Sequence, residues 1–356
     1  MNNILNNIEE IKKLDSKQML GSLELLSAQV AEVWDCAQKI KVPANYKKVK
    51  NIVVLGMGGS TLGAHILQSV FLSELKAPLQ IINGYHVPAY VDKNSLVIVS
   101  SYSGTTEEPL FAMKEAQKRQ AKLAIISSGG DLAKLSAAMK IPGLIFTTNN
   151  NPCNSPRMGL GYSIVGQMIL FAKVGLIKLS AKDINQIISV LQKYNTEFGL
   201  ANFSNNLAKE IAKNLFNRSV WYAGAEHLSG SVHVAANQTN ENAKRFAGYF
   251  LIPELNHHLM EGMLYPESNK NNLGFVLIES DLYDRRVQKR FDITKKILEK
   301  NGIKYWSYKA QEKSKVHQAC ELLVFGSYVS YYGALLQGID PTAIPFVDFF
   351  KEQLKK

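Results

Sequence analysis

The chain alternates short apolar runs with longer segments in which apolar residues recur at helical spacing. Short runs rich in Val, Ile and Leu are typical of strands that are buried on both faces of a sheet. Because helical segments separate these runs, the pattern favours parallel, doubly wound sheets. Strands are predicted at residues 51–55, 79–82, 96–100, 124–127 and 143–147 in the first half, and at 219–222, 274–278 and 304–307 in the second.

Two changes in this pattern divide the chain into an arm and two α/β domains. Residues 1–45 show helical periodicity that ends at Pro43, and we expect an N-terminal helical arm there. A more polar helical stretch at 186–205 is predicted to connect a first domain, residues 46–185, to a second, residues 206–356. The predicted fold class is α/β, with two doubly wound domains that each hold a mainly parallel sheet flanked by helices.

The composition supports a globular chain and narrows the range of its partners. Hydrophobic residues make up 46% of the 356 residues and charged residues 20%, as is usual for globular domains. The 41 basic and 30 acidic residues give a formal charge of +11, yet the basic residues are scattered rather than grouped. We therefore expect no nucleic-acid partner, and we interpret the charge as a solvated surface that attracts anionic substrates.

The cysteines and the apolar segments favour a cytoplasmic protein with no membrane partner. The three cysteines, Cys36, Cys153 and Cys320, lie far apart without a C-x-x-C pair, so neither a disulfide framework nor a zinc finger is expected. The N-terminus lacks the basic and apolar regions of a signal peptide. The longest apolar region, residues 162–179, contains charged residues such as Lys173 and is interpreted as a buried helix.

A cluster of hydroxyl residues, Ser101-Tyr-Ser-Gly-Thr-Thr-Glu107, follows the third predicted strand and precedes a predicted helix. At such a turn, the unpaired N–H groups of the helix start and the helix dipole favour an anion. Ser103 and Thr106 can add hydroxyl donors beside Ser101, and Gly104 lets the backbone come close. The cluster contains no cation, which suits a phosphate monoester better than a nucleoside triphosphate. It is also compatible with a plain loop and helix cap.

A glycine-rich turn, Gly56-Met-Gly-Gly-Ser-Thr-Leu-Gly63, follows the first predicted strand. A dinucleotide site is disfavoured because Thr61 stands where G-x-G-x-x-G needs its third glycine. In addition, Asn83 and Gly84 stand where an acidic residue would meet the ribose. The turn instead indicates close approach of the backbone to a sugar, with Ser60 as a hydroxyl donor.

An amide-rich segment, Asn237-Gln-Thr-Asn-Glu-Asn-Ala-Lys244, lies within a helix predicted at 231–247. Amide side chains need partners when they are buried, so Glu241 in their midst is a candidate general base. The competing interpretation is a surface glutamate that pairs with Lys244 or Arg245 at helical spacing. From the residues alone, both interpretations stay open.

Several motifs together resemble those of the bifunctional phosphoglucose/phosphomannose isomerases, a family built from sugar isomerase (SIS) domains. Residues 101–108 match the S-x-S-G-x-T-x-E form of the SIS phosphate loop. Asn240-Glu-Asn-Ala-Lys244 is similar to the N-E-N-[AS]-K that carries the catalytic glutamate, and Glu254-Leu-Asn-His257 is similar to an E-x-N-H segment. Arg157 and the C-terminal segment around Lys351 resemble the family's active-site arginine and closing helix.

The resemblance implies isomerisation of glucose 6-phosphate, and of mannose 6-phosphate, to fructose 6-phosphate through a cis-enediol, without a metal or cofactor. It implies that Glu241 moves the proton between C2 and C1 and that Arg157 stabilises the enediol oxygen. His257, together with Lys351, would open the sugar ring. The implied substrate-binding residues are Gly58, Gly59, Ser60, Ser101, Ser103, Thr106 and Thr342, of which the threonine at 342 is linked to mannose 6-phosphate.

The resemblance also implies a homodimer, because in relatives the ring-opening histidine comes from the neighbouring subunit. Two other functions remain as alternatives. A non-catalytic sugar-phosphate sensor would keep the loops and lose the catalytic residues, and another SIS isomerase would act on phosphoheptoses or aminosugars. A zinc site at His257 and His258 is disfavoured because adjacent side chains rarely converge on one ion.

Overall fold

Two parallel β-sheets organise the chain, one in each half. The computed structural model describes residues 4–354. The strands of the first sheet are Asn51–Leu55 (β1), Leu79–Ile82 (β2), Ser95–Ser100 (β3), Lys122–Ser127 (β4) and Gly143–Ile145 (β5), and those of the second are Ser219–Ala225 (β6), Ala247–Ile252 (β7), Leu273–Ser280 (β8) and Lys304–Ala310 (β9).

The strand order places a topological switch point in each sheet. The first sheet has the order β2-β1-β3-β4-β5 and the second β7-β6-β8-β9, and every neighbouring pair of strands is parallel. The chain reverses direction across the sheet between β1 and β3, and again between β6 and β8. Ligands of such sheets bind at the carboxyl ends of the strands, near these reversals.

Helices cover the sheets and connect their strands. Those of the first half are Ile8–Leu14 (α1), Met19–Glu24 (α2), Leu26–Ala37 (α3), Gly59–Val70 (α4), Glu107–Lys118 (α5), Gly130–Ala138 (α6), Gly166–Val174 (α7) and Ala181–Phe198 (α8). Those of the second half are Leu207–Asn214 (α9), Ser229–Ala243 (α10), Leu255–His258 (α11), Asn269–Asn272 (α12), Arg285–Lys300 (α13), Lys315–Leu336 (α14) and Pro345–Leu354 (α15). Short 3₁₀ turns occupy Ile4–Asn6, Ala44–Lys47, Pro156–Met158, Glu226–Leu228 and Glu261–Met263, and a π turn, Gly161–Val165, precedes α7.

One hydrophobic core extends across both halves of the chain. It includes Ile98 from the first sheet, Phe275 from the second, and the side chains of α14 between them. Helix α14 is long and apolar enough to cross a membrane, but 94% of its most apolar stretch is buried inside the protein. A smaller core, which includes Val97 and Met113, fills the opposite face of the first sheet beneath α5.

The predicted fold class is confirmed, since two parallel sheets are each flanked by helices. All eight predicted strands are present, with ends that differ by a few residues. The apolar region at 162–179 forms the π turn and α7, whose residues are mostly buried.

Strand β7 and helix α14 are among the elements that were not predicted. No strand was predicted at 247–252, and the helix predicted at 231–247 ends sooner: α10 stops at Ala243, and Lys244 adopts a left-handed conformation, with φ of 47°, that turns the chain toward β7. Helix α14 was missed because it is buried on nearly every side, so its sequence shows no apolar stripe.

The residue boundaries of the domains stay predictions. Helix α8 overlaps the predicted connection at 186–205 and packs against both α3 and α14. The predicted arm at 1–45 contains α1, α2 and α3. Residues 1–3 of that arm and residues 355–356 of the second domain lie outside the described residues.

Close packing of α4 against α10 provides a test of how the halves fit together. A Cβ at Gly230 of α10 would lie 2.4 Å from the backbone oxygen of His65 in α4. We expect Gly230→Ala to lower the free energy of unfolding by about 1–3 kcal/mol, because neither backbone can move aside easily. Gly262→Ala is the matched control, since a Cβ there meets no atom within 4 Å. Urea unfolding of both variants measures the effect, and equal stabilities would contradict this account of the packing.

Candidate active site

Residues 101–106, which we call the phosphate loop, join the end of β3 to the start of α5. The buried hydroxyl of Ser101 lies 2.7 Å from that of Thr106 and accepts a hydrogen bond of 3.1 Å from the Gly104 N–H. Ser103 is exposed, and its hydroxyl lies 3.1 Å from that of Thr105. The Thr106 side chain does not cap α5, so the first N–H groups of this helix are free of a side-chain acceptor there. The loop therefore has the hydroxyls and the helix start that the sequence predicted for an anion site.

A second loop, residues 127–130 between β4 and α6, supports the phosphate loop and was not predicted as part of the site. Gly104 has a φ of 72°, and a Cβ on it would lie 1.9 Å from the Gly129 oxygen. The Ser128 N–H donates to the Tyr102 oxygen at 3.0 Å. The small residues Ser-Ser-Gly-Gly at the end of a predicted strand were the available signal, because only small residues permit such close backbone contact.

The glycine turn after β1 lies beside the phosphate loop because β1 and β3 are neighbours in the sheet. The buried Ser60 hydroxyl accepts a 3.0 Å hydrogen bond from the Tyr102 N–H. The backbone carbonyl oxygen of Ser60 accepts a 2.6 Å hydrogen bond from the Ser100 hydroxyl. Ser60 thus links the two loops. The Asn83 side chain donates to the Gly56 backbone oxygen at 2.7 Å. An amide that is hydrogen-bonded to the turn therefore occupies the position at which a dinucleotide site needs a carboxylate.

Arg157 is the most enclosed charge of the site, with 5% of the residue exposed. Its Nε donates to the Asn242 Oδ1 at 2.8 Å, and its Nη2 donates to the Thr342 oxygen at 2.7 Å. A Cβ on Gly59 would lie 3.5 Å from the Arg157 Cα, so the glycine turn packs directly on the arginine backbone. Acceptors from the second half therefore fix the guanidinium, while the glycine turn of the first half packs on the backbone of the same residue.

Glu241 lies on α10 with its Oε2 4.0 Å from the Nε of Arg157. Its side chain is 37% exposed, so it is enclosed but open to a small molecule. Burial raises the pKa of Glu241, and the positive charges of Arg157, Lys351 and Lys244 oppose this rise. A raised pKa makes a carboxylate a stronger base, as proton abstraction from carbon requires.

The alternative of a surface ion pair on α10 does not match the geometry. The ammonium group of Lys244 contacts backbone oxygens, and Arg245 donates to the Leu215 oxygen at 2.7 Å. Within residues 4–354, the ion pair formed by Glu241 is the one to Arg157. Two buried amides beside it donate to hydroxyls of α14, as expected for buried polar groups: Gln238 to Ser327 at 2.7 Å and Asn242 to Ser330 at 3.1 Å.

The C-terminal segment contributes Thr342 and Lys351. Thr342 is buried, and its backbone oxygen, rather than its hydroxyl, accepts from Arg157. Lys351 is exposed on α15. Its positive charge partly offsets the rise in the pKa of Glu241 that burial causes. A cavity of about 560 Å³ lies between this segment, the loop that includes Ser155, and the N-terminal region around Lys17.

His257 is not tied to the other predicted catalytic residues by any contact among the described residues. It is exposed on the short helix α11, which follows β7. No hydrogen bond or ion pair joins its ring to Glu241 or Arg157 within residues 4–354. The same described range contains no group of three or more His, Cys, Asp or Glu residues arranged to hold a metal.

The structure therefore brings together four predicted features: the phosphate loop, the glycine turn, the Arg157–Glu241 pair and the segment at 342. The phosphate loop and the glycine turn lie at the carboxyl ends of parallel strands, and the whole arrangement defines a protein of the SIS-domain class. A family model described as the bacterial phospho-glucose isomerase C-terminal SIS domain matches residues 204–354.

Comparison with known protein sequences identifies the family. The bifunctional phosphoglucose/phosphomannose isomerase of Caldicellulosiruptor bescii is 31% identical over 94% of this chain and 98% of that protein. The protein of the same name from Thermoplasma acidophilum is 30% identical over 85% of this chain and 89% of its own length. The chain belongs to the bifunctional phosphoglucose/phosphomannose isomerase family, and the resemblance noted in the sequence is confirmed.

A solved structure supports the fold independently. The crystal structure of a hypothetical protein from Thermus thermophilus superposes with a TM-score of 0.76, over 98% of this chain and 93% of that one. At 18% sequence identity, this likeness shows the fold alone.

Gly104 allows a direct test of the phosphate loop. We expect Gly104→Ala to weaken binding of a sugar 6-phosphate by about tenfold, because a side chain would collide with the Gly129 oxygen and oppose the left-handed φ. Calorimetric titration with glucose 6-phosphate measures the affinity. Gly84→Ala, in the neighbouring loop after β2, is the control, since a Cβ there meets no atom within 4 Å. An unchanged affinity in Gly104→Ala would show that this loop does not bind the phosphate group.

Proposed function

We propose that the protein interconverts glucose 6-phosphate and mannose 6-phosphate with fructose 6-phosphate through a cis-enediol intermediate. The observation that carries this proposal is the Glu241 carboxylate, 4.0 Å from a buried arginine whose backbone packs against the glycine turn beside the phosphate loop. The relatives that cover most of the chain are named for these activities. A cytoplasmic location and a role in glycolysis and gluconeogenesis belong to the same proposal.

The phosphate group is assigned to the phosphate loop. Ser101, Ser103 and Thr106 supply hydroxyls, and the start of α5 supplies N–H groups that point toward an anion. Gly58 is exposed, with a φ of 50° and free space where a side chain would be, so its backbone is open to the sugar. Gly59 and Ser60 complete this wall of the site.

Glu241 is assigned the proton transfer between C2 and C1. Removal of a proton from C2 leaves negative charge on the neighbouring oxygen, and the guanidinium of Arg157 is the nearest fixed positive charge to the base. Because Arg157 is held by Asn242 and Thr342 before any reaction, it needs little reorganisation when the charge develops. Both C2 epimers can share this base, provided the sugar can rotate its C2 toward Glu241.

His257 is assigned to ring opening, with Lys351, and is proposed to act in the active site of a second subunit. The support is that it is exposed on α11 and that, among residues 4–354, neither Glu241 nor Arg157 of its own chain contacts its ring. The surface around α11 and β7 also exposes several large apolar side chains, which a homodimer interface would cover. These are Phe246 at 71%, Tyr249 at 37%, Leu264 at 56% and Tyr265 at 69% exposure.

The non-catalytic sensor has less support than the enzyme. A protein that only binds sugar phosphates has no need of a carboxylate with a raised pKa beside a buried arginine. Binding of a sugar phosphate without its conversion would indicate a sensor.

Replacement of the base tests the reaction. We expect Glu241→Gln to lower kcat by about 10²–10⁴-fold, because the amide cannot accept the C2 proton. A coupled assay for fructose 6-phosphate formation from each aldose 6-phosphate measures the rate. Glu210→Gln, on an exposed face of α9, is the control. Near-normal turnover in Glu241→Gln would exclude this residue as the base, and a wild-type protein that binds but does not convert either sugar would be a sensor.

Mixed dimers test whether His257 acts across subunits. Glu241→Gln and His257→Ala should each be nearly inactive, and refolding them together should restore about one quarter of the wild-type activity. Half of the dimers are then mixed, and each mixed dimer holds one site with both intact residues. If His257 served its own chain, every site would lack one group, and the mixture would stay inactive.

A further inference from the structure

Lys244 occupies an unusual place directly after the helix that carries the base. It follows α10 with a left-handed φ of 47°, so its side chain leaves the helical spiral instead of extending along it. Its ammonium group lies 2.8 Å from the Asp340 oxygen, 2.8 Å from the Pro341 oxygen and 3.1 Å from the Asn242 oxygen. Two backbone carbonyls from the distant segment at 340–341 and one from the end of α10 thus surround one cation, which matches the three donors of a lysine ammonium.

The same segment, residues 340–342, is also held by Arg157. The Arg157 Nη2 donates to the Pro341 oxygen at 3.1 Å and to the Thr342 oxygen at 2.7 Å. The Pro341 oxygen therefore accepts from both cations. Because the two cations share this acceptor, a shift of the segment on the Lys244 side changes the support of Arg157 as well.

The segment at 340–342 leads directly into α15, which carries Lys351. Asp340 further orders it, since its Oδ1 accepts from the Thr342 N–H at 2.7 Å and its Oδ2 accepts from the Ser16 hydroxyl at 3.3 Å. The contacts of Lys244 thus join the end of α10, next to Glu241, to the start of the C-terminal helix.

We infer that Lys244 is a positioning residue for the isomerisation, whose ammonium group fixes residues 340–342 and thereby aligns Arg157 and Lys351 with Glu241. This inference rests on the proposed function for its catalytic consequence. It does not require Lys244 to touch the substrate, and its structural part can be measured without turnover.

The charged form of Lys244 is the one that can hold the segment. Burial and the nearby charge of Arg157 lower the pKa of Lys244 to about 8, while Asp340 and Glu241 act to raise it. Below that pH the ammonium presents three donors, and above it a neutral amine presents two donors and a lone pair that repels carbonyl oxygens. The ammonium group is partly enclosed by these carbonyls, but the residue as a whole reaches solvent. It can therefore lose the proton without unfolding, and the contacts weaken as pH rises through about 8.

Two substitutions separate charge from packing. In Lys244→Met we expect kcat to fall by about tenfold or more with little change in KM, because misplacement of Arg157 acts on the transition state. In Lys244→Arg the cation stays charged at every working pH, so activity should persist further into the alkaline range than in the wild type. Lys304→Met, at the exposed start of β9, is the control for loss of a surface charge.

Steady-state assays from neutral pH to about pH 10 and hydrogen–deuterium exchange across residues 339–354 test the inference together. Lys244→Met should speed exchange in this stretch, and Lys304→Met should leave it unchanged. Unchanged exchange in Lys244→Met would overturn the positioning role whether or not the protein isomerises sugars. If Lys244→Met does not fold, the test is the loss of activity at alkaline pH. The same loss in Lys244→Arg as in the wild type would overturn the positioning role. Absence of isomerisation by the wild type would reject the proposed function, and the exchange result would still stand.

Discussion

A buried positive charge, the guanidinium of Arg157, sets the central constraint on this protein. A charge removed from water must be surrounded by hydrogen-bond acceptors, or it destabilises the fold. The acceptors come from α10 and from the segment at 340–342, while the glycine turn of the first sheet packs on the arginine backbone. The first sheet thus provides the phosphate loop and the second half provides Glu241, and the charge of the arginine is compensated only when both halves meet.

Much of the fold could be predicted because parallel strands leave a strong local pattern. Strands such as β3 are buried on both faces and form continuous apolar runs. Strand β7 lies at an edge, is partly exposed, and follows its helix after a turn that depends on the backbone conformation of Lys244. Helix α14 is surrounded by other elements, and complete burial removes the amphipathic period by which helices are found.

The candidate site was predictable where its parts are local in sequence. The phosphate loop combines a strand end, hydroxyls and a helix start within a few residues, so its chemistry is visible without a structure. The supporting loop at 127–130 and the acceptors from 340–342 come together only through folding. The competing interpretation of Glu241 relied on helical spacing to Lys244, and that spacing fails because the helix ends one residue earlier.

The phosphate loop has a consequence for how salt acts on binding. It offers hydroxyls and backbone N–H groups and contains no cation. Contacts between an anion and neutral dipoles act over short distances, so dissolved ions screen them far less than they screen attraction between full charges. The formal charge of +11 acts over longer distances and is screened. Ionic strength should therefore strongly affect the association rate of an anionic ligand and have much less influence on its dissociation rate.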